Sequence, residues 1–166
     1  MKVIILCGGM GSRLREETEY KPKPMVEIGG KPILWHIMKH YSFYGFNDFI
    51  LALGYKGNII RDYFINHIYY NNDLTVDLSS KDEIIIHSRN FNDSWKVTLV
   101  ETGPNSMTGY RIKVASKYIE EDQFMMTYGD AVATVNIEAL VKFHNKQNTI
   151  GTVTGVFPTS KYGDMK

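Results

Sequence analysis

The apolar run Val3-Ile4-Ile5-Leu6 empties into Cys7-Gly8-Gly9-Met10-Gly11-Ser12-Arg13, and a second basic cluster, Lys21-Pro22-Lys23-Pro24, follows closely. A short unbroken apolar stretch that ends in glycines suits a strand covered on both faces, the usual state in a parallel sheet, so Val3 to Cys7 reads as such a strand. Glycine has no Cβ, so the chain after this strand can take positive φ and bring amide hydrogens close to phosphate oxygens. An arginine and a lysine held beside prolines then neutralise charge that backbone dipoles alone cannot. The combination is suited to gripping linked phosphates.

Two other glycine loops are excluded by spacing. A Walker A loop requires a Lys-Ser or Lys-Thr pair after its second glycine, and none follows here. The dinucleotide fingerprint, counted from Gly9 and Gly11, needs a third glycine where Leu14 stands, and an acidic residue at the end of a second strand.

The rest of the chain alternates strand and helix signals. Pro32 is placed where a helix can begin, and Ile33, Leu34, Ile37, Met38 and Tyr41 recur at helical spacing until Gly45. Phe49 to Leu53 reads as a second strand, followed by a helix behind Asn58 as N-cap. Leu74 to Leu78, Glu83 to His87 and Lys96 to Glu101 read as three short strands in a hairpin-like excursion. Met107 to Ile119 returns to helical spacing, Phe124 to Tyr128 is a strand, Ile137 to Lys146 a helix behind Asn136, and Thr149 to Phe157 a last strand. This order predicts an α/β fold with an open, mostly parallel, Rossmann-like sheet and helices on both faces.

Composition narrows the partners. With 19 basic against 18 acidic residues the formal charge is +1, which gives no global case for nucleic acid or an anionic membrane, so anion binding must be local. The 166 residues suffice for one domain with a real core. Cys7 is the sole cysteine, which rules out an internal disulfide and suggests a small buried thiol. The first apolar run is too short for a signal peptide and no span approaches ~20 apolar residues, so a cytoplasmic protein is expected. His36 and His40 stand one helical turn apart but lack further ligands, and read as helix surface or subunit contact.

The run G-G-x-G-x-R-L from Gly8, with the short K-P segment after it, resembles the signature of sugar-1-phosphate nucleotidyltransferases. Lys21 to Met38, Gly54-Tyr55-Lys56-Gly57, Ser106-Met107-Thr108-Gly109 and Thr127-Tyr128-Gly129-Asp130 are similar, in order, to blocks of the glucose-1-phosphate cytidylyltransferase branch of that family. The resemblance implies the nucleotide-diphospho-sugar transferase fold. It also implies transfer of a cytidylyl group from CTP to α-D-glucose 1-phosphate with Mg²⁺, for nucleotide-sugar and polysaccharide synthesis. Family members continue well past Lys166, with a second metal-binding aspartate, sugar-phosphate contacts and subunit contacts in the continuation. Residues 1–166 are therefore expected to be a single nucleotidyltransferase domain lacking that C-terminal part, and a homo-oligomer is expected of the full-length form.

Carried over position by position, the resemblance puts Leu6, Gly8, Gly9, Met10, Gly11 and Ser12 at the nucleotide. Arg13 meets the leaving pyrophosphate, where its fork can reach two oxygens. Lys23, favoured over Lys21 by the Lys-Pro-Met spacing, meets the α-phosphate and the incoming sugar phosphate. Arg13 and Lys23 are the catalytic pair. Ser106 and Arg111 contact the nucleotide, Gly129 lies beside the metal ligand, and Asp130 binds Mg²⁺. Tyr110 and Ala131 stand where relatives carry glycine, and each would strain the loop if that glycine holds positive φ. Two alternatives stay open: a non-catalytic nucleotide-binding or oligomer-forming domain, and a transferase for another nucleotide or sugar 1-phosphate.

Overall fold

The structure, a computed structural model, describes residues 1–9, 20–79, 83–87 and 94–156. From the N-terminus, β1 (Val3–Leu6) is followed by a single 3₁₀ turn (Lys23–Met25), a hairpin of β2 (Glu27–Ile28) with β3 (Lys31–Pro32), and helix α1 (Ile33–Phe43). Next come β4 (Asp48–Leu53), α2 (Gly57–Ile65), the short α3 (His67–Tyr70), and a second hairpin of β5 (Leu74–Asp77) with β6 (Glu83–Ile86). Then β7 (Lys96–Glu101), α4 (Thr108–Ala115), a 3₁₀ turn (Ser116–Tyr118), β8 (Met125–Tyr128) and α5 (Ile137–Gln147) follow.

The central sheet has the spatial order β7-β4-β1-β8, and all its pairs are parallel. The chain lays down β1, steps outward to β4 and β7, then crosses back to put β8 on the other flank of β1. Open α/β sheets hold ligands at such a reversal, outside the carboxyl ends of the strands. Here those ends are Leu6 and Tyr128, register partners in adjacent strands.

Both faces of the sheet are covered, which is why β1 is an unbroken apolar run instead of an alternating one. Ile4, Leu6, Ile50, Ala52 and Val100 pack with Ala115 of α4, extended by Ile112, Val114 and Ile119. The alternate residues point the other way: the Phe49 ring lies 6.1 Å from that of Trp95, which lies 6.2 Å from Trp35 of α1. Leu53, on that same side, lies against Gly57 at the start of α2. On α1 the buried residues are Leu34, Ile37, Met38 and Tyr41, one stripe of the helix. Gly45 ends it with φ +85°, its N–H donating to Ser42 O at 2.9 Å, as expected of a residue just past a helix.

Three sequence expectations need correction. Lys96–Glu101 is no part of a hairpin excursion: it pairs in parallel with β4, from Asp48↔Lys96 to Leu53↔Glu101, while β5 and β6 pair only with each other. An edge strand and a hairpin strand share the same half-buried alternation, so pattern alone does not separate them. Asn58 does not cap α2. The turn closed by Gly57 N donating to Gly54 O at 2.9 Å starts the helix earlier, and Lys56 takes the cap position in left-handed conformation at φ +51°. Residues 149–156 form no strand: Ile150, Val153 and Val156 are exposed, and no ladder partner for them is present among the described residues. The Asn136 cap does form, with Oδ1 accepting from Ala139 N at 2.9 Å.

Residues 1–133 and 134–166 make two separately compact units. The sheet lies in the first, α5 in the second. Among the described residues no helix is long and apolar enough to cross a membrane.

Candidate active site

A cleft of about 510 Å³ opens at the carboxyl ends of β1 and β8, within the size range of small-molecule sites. Leu6, Cys7, Gly8 and Gly9 line one part of it, Pro104 to Thr108 and Arg111 another, and Lys23, Pro24, Tyr128 and Asp130 a third. The strand reversal, the glycines, the lysine block and the Gly-Asp block thus converge on one cavity although Gly8 and Asp130 are 122 residues apart in sequence. Gly129 stands behind Asp130. Met10, Gly11, Ser12 and Arg13 lie outside the described residues.

Lys23 is positioned by its own sequence. Pro22 and Pro24 are buried on either side, and the 3₁₀ turn is closed by Met25 N to Pro22 O at 2.8 Å and Val26 N to Lys23 O at 3.1 Å. The proline rings fix φ through the turn, so the backbone under the lysine is set and its side chain reaches the cleft. Its ammonium donates to Asp130 Oδ2 at 2.6 Å, with the two side chains 27% and 38% exposed. Lys21 points elsewhere, into an exposed ion pair with Glu27 at 2.7 Å.

Asp130 follows β8 directly, and Gly129 fastens that strand end to β1 by donating its N–H to Leu6 O at 3.0 Å. Nothing larger fits there. A Cβ at 129 would lie 3.0 Å from both Cys7 Sγ and Leu6 O and 3.2 Å from Pro24 Cγ. Cys7 is 1% exposed, and burial, then the nearby Asp130 carboxylate, push its thiol far above the ordinary range. It is therefore an inert thiol under the cleft and not a nucleophile.

Arg111 is 5% exposed and all five guanidinium N–H groups have partners. Nε donates to Ser106 O at 3.0 Å; Nη1 to Leu53 O at 3.1 Å and Thr102 Oγ1 at 2.6 Å; Nη2 to Gly8 O at 3.0 Å and Pro104 O at 3.1 Å. Burial lowers its pKa from the ordinary value, against the raising effect of Glu101, yet an arginine stays charged. Gly8 and Gly54 are glycine because the guanidinium occupies their Cβ space: a Cβ would fall 2.0 Å and 2.4 Å from Nη1. Ser106 is also turned inward, donating its hydroxyl to Thr102 O at 2.5 Å. Sequence reasoning named Arg111 and Ser106, within a recognition segment from Thr102 to Arg111, but gave no role to Leu53 or Gly54 in this fastening. Glycine at the ends of two neighbouring strands was the one available signal.

Tyr110 and Ala131 cause no backbone strain. Among the described residues only Lys56 and Asn148 are non-glycines at positive φ, and Tyr110 is an exposed residue of α4. His36 Nε2 donates to Ile28 O across 2.9 Å on the surface, and no cluster of three or more metal-binding side chains occurs among the described residues.

A profile of the nucleotidyl transferase family matches residues 2–166. The chain belongs to that family. It is 49% identical over 166 residues to glucose-1-phosphate cytidylyltransferase of Salmonella typhimurium and 44% identical over 165 residues to a probable glucose-1-phosphate cytidylyltransferase of Bacillus subtilis, covering 99% of this chain in each case. It spans 64% of the length of both relatives. Among solved structures it is similar to HddC from Yersinia pseudotuberculosis complexed with GMP-PN, with TM-score 0.60 and 31% identity over 86% of this chain and 53% of that one. UDP-glucose pyrophosphorylase complexed with UDP-glucose shares the fold at TM-score 0.63 with 16% identity, over 88% of this chain and 53% of that one. The parallel sheet with its reversal beside β1 is thus the architecture of nucleotide-sugar transferases, as the sequence implied.

Proposed function

We propose that the cleft takes CTP and transfers its cytidylyl group to α-D-glucose 1-phosphate, giving CDP-glucose and pyrophosphate. The reading is carried by the Lys23–Asp130 pair, 2.6 Å apart, lining the same cavity as Gly8 and Gly9 at the strand reversal. The relatives at 44–49% identity support the choice of nucleotide and sugar.

In this reaction a phosphate oxygen of the sugar phosphate attacks the α-phosphorus. The bond from that phosphorus to the bridging oxygen breaks, and pyrophosphate leaves with the electron pair. Such a transfer depends on positioning and charge compensation more than on covalent help. The Gly8–Gly9 backbone lies where amides can meet phosphate oxygens, and the Lys23 ammonium offsets charge that gathers around the α-phosphorus. Arg13 takes its place at the leaving pyrophosphate from the motif. Asp130, a hard oxygen donor and the one acidic side chain among the described lining residues, fits a Mg²⁺ that completes its shell with phosphate oxygens. Bound there, the ion would neutralise phosphate charge. The reading also includes a cytoplasmic location and a homo-oligomeric full-length form.

A second reading, nucleotide binding without turnover, draws on that single carboxylate. Pyrophosphate release with CTP, glucose 1-phosphate and Mg²⁺ separates the two, since turnover excludes the binding-only reading. Competition by UTP and dTTP checks the base, and a stronger grip on UTP removes the cytidylyl assignment. Asp130→Ala is expected to abolish the Mg²⁺ dependence of CTP binding. An unchanged response moves the metal elsewhere.

A further inference from the structure

We propose that the hairpin of β5 and β6 is an arm that seats its apolar face in a groove at the margin of β7 on a second copy of this chain. The two strands pair only with each other, in the register Leu74↔Ile86 and Val76↔Ile84, so these four aliphatic side chains share one face. None of the four is buried, and Val76 and Ile84 are 45% and 44% exposed. A two-stranded hairpin is marginal in water unless a further surface covers its apolar face. Charge adds to the cost. Asp77 stands directly opposite Glu83, and like charges so placed destabilise the pair. Asp77 accepts from the Ser79 N–H at 2.8 Å and from its hydroxyl at 2.5 Å, which lowers the pKa of the carboxyl and keeps it ionised.

The groove, of about 320 Å³, is lined by Phe64, Ile65 and Ile68 from the α2–α3 segment and by Trp95, Val97 and Leu99 from β7 and the residue before it. His67 is its one titratable lining side chain among the described residues. β7 ends the sheet on this flank, and its outer edge has no strand partner among the described residues. An apolar groove beside an open sheet edge is a surface that proteins cover. Cations border it. The Lys39 ammonium lies 6.0 Å from the centre of the Trp95 ring, and Lys96, 3.8 Å from Asp48, keeps most of its side chain in solvent. The acidic end and apolar face of the hairpin thus match a groove that is apolar within and basic at its rim. The chain's own hairpin does not fill it, since no residue of β5 or β6 is among the lining residues. That hairpin is also tethered: only residues 71–73 separate it from α3, with Asn71 Nδ2 donating to His67 O and Asn72 Nδ2 to Ile68 O, both at 2.7 Å. Every copy carries both the arm and the groove, so the contact is returned within a symmetric assembly.

The proposal gives a surface to the homo-oligomeric form in the functional reading and rests on that part of it; association is measured without ligand, so failure here leaves the nucleotide chemistry standing. Sedimentation equilibrium of the 166-residue chain is expected to show reversible association with a Kd below about 100 µM. Ile84→Lys on the hairpin and Ile65→Lys on the groove, both at exposed positions, are each expected to weaken it about tenfold or more. A loss in only one of the two overturns the pairing. Cysteine variants perturb the fold less, and the native Cys7 is buried away from reagent. Val76→Cys and Ile65→Cys chains, told apart by isotope labelling, are mixed and treated with a short bis-maleimide, and the expected cross-link joins one variant to the other. Links only between identical variants mean that hairpin packs on hairpin, and they overturn the proposal. A parent that stays monomeric leaves the groove to another occupant and brings down the oligomeric reading for this chain and this inference with it. An associating parent whose two lysine variants associate equally well brings down the inference alone.

Discussion

The two banks of the cleft are fastened in opposite ways. On one, the ends of β1, β4 and β7 converge on a single guanidinium that is 5% exposed and bonded at every N–H. On the other, β8 meets the Lys23 turn through one ion pair whose side chains are 27% and 38% exposed. A buried cation among backbone carbonyls is costly to disturb, because each acceptor it leaves is buried without a partner. A part-exposed ion pair exchanges partners easily, since water and ligand oxygens compete for both members. Under the proposed function, whose ligand carries several negative charges, the first bank holds geometry while the second takes part in chemistry.

The comparison breaks most visibly at Lys23. Lys23→Met is expected to lower turnover of CTP and glucose 1-phosphate by about 100-fold or more, with CTP affinity changed only a few fold, because the charge is needed chiefly as the transition state forms. Its thermal midpoint should stay within about 2–4 °C of the parent, as a part-exposed pair contributes only about 0–1 kcal/mol. Equal losses of affinity and turnover would show that the lysine belongs to the fixed bank, and a large loss of stability would show that the pair is not exchangeable.

Cys7 sharpens the contrast because it lies under both banks. Burial raises its pKa most, Asp130 adds to the rise, and Arg111 opposes it. In the unfolded chain the thiol ionises near its ordinary value of 9.0, whereas the folded protein keeps the proton. The stability this contributes is complete below that pH and falls above it, since the unfolded state releases a proton that the native state retains. The slope is about 1.4 kcal/mol per pH unit. Denaturant unfolding between pH 8 and 10.5 should show the parent losing stability faster than Cys7→Ser as pH rises. Parallel curves would mean that water reaches the thiol and that the seam between the banks is open.

What the sequence revealed of this arrangement follows the same division. Contacts made by residues near one another, or by a motif with its own signature, were legible: the buried strand Val3–Leu6, the prolines about Lys23, the Gly45 stop, the Asn136 cap and Asp130 after its strand. The Arg111 fastening was not. Its acceptors are four backbone carbonyls and one hydroxyl from segments 5 to 103 residues away, and any residue type supplies a carbonyl. The placing of Lys96–Glu101 was missed for a related reason, because strand pairing is a tertiary choice that a half-buried alternation leaves undecided. Helix starts failed where backbone geometry overrode side-chain preference: the Gly54–Gly57 turn puts Lys56, not Asn58, at the head of α2.

The smallest expected effect belongs to Lys21, and it guards the Lys23 assignment. Both lysines lie in the same Lys-Pro-Lys-Pro segment, and both are ion-paired at 2.6–2.7 Å, so bond length does not tell them apart. Environment does. Lys21 and Glu27 are 49% and 51% exposed, Glu27's pKa is lowered first by its hydrogen bond to Lys21, and neither side chain is among the described residues lining the cleft. Held in solvent, such a pair loses little when broken, because each charge regains its hydration. Lys21→Ala should therefore leave CTP affinity and turnover unchanged and give no resolvable shift in the unfolding midpoint, beside the large effect of Lys23→Met two residues away. A matching loss of turnover in Lys21→Ala would transfer the catalytic charge to the wrong lysine and dissolve the distinction between a fixed and an exchangeable bank at its most exposed point.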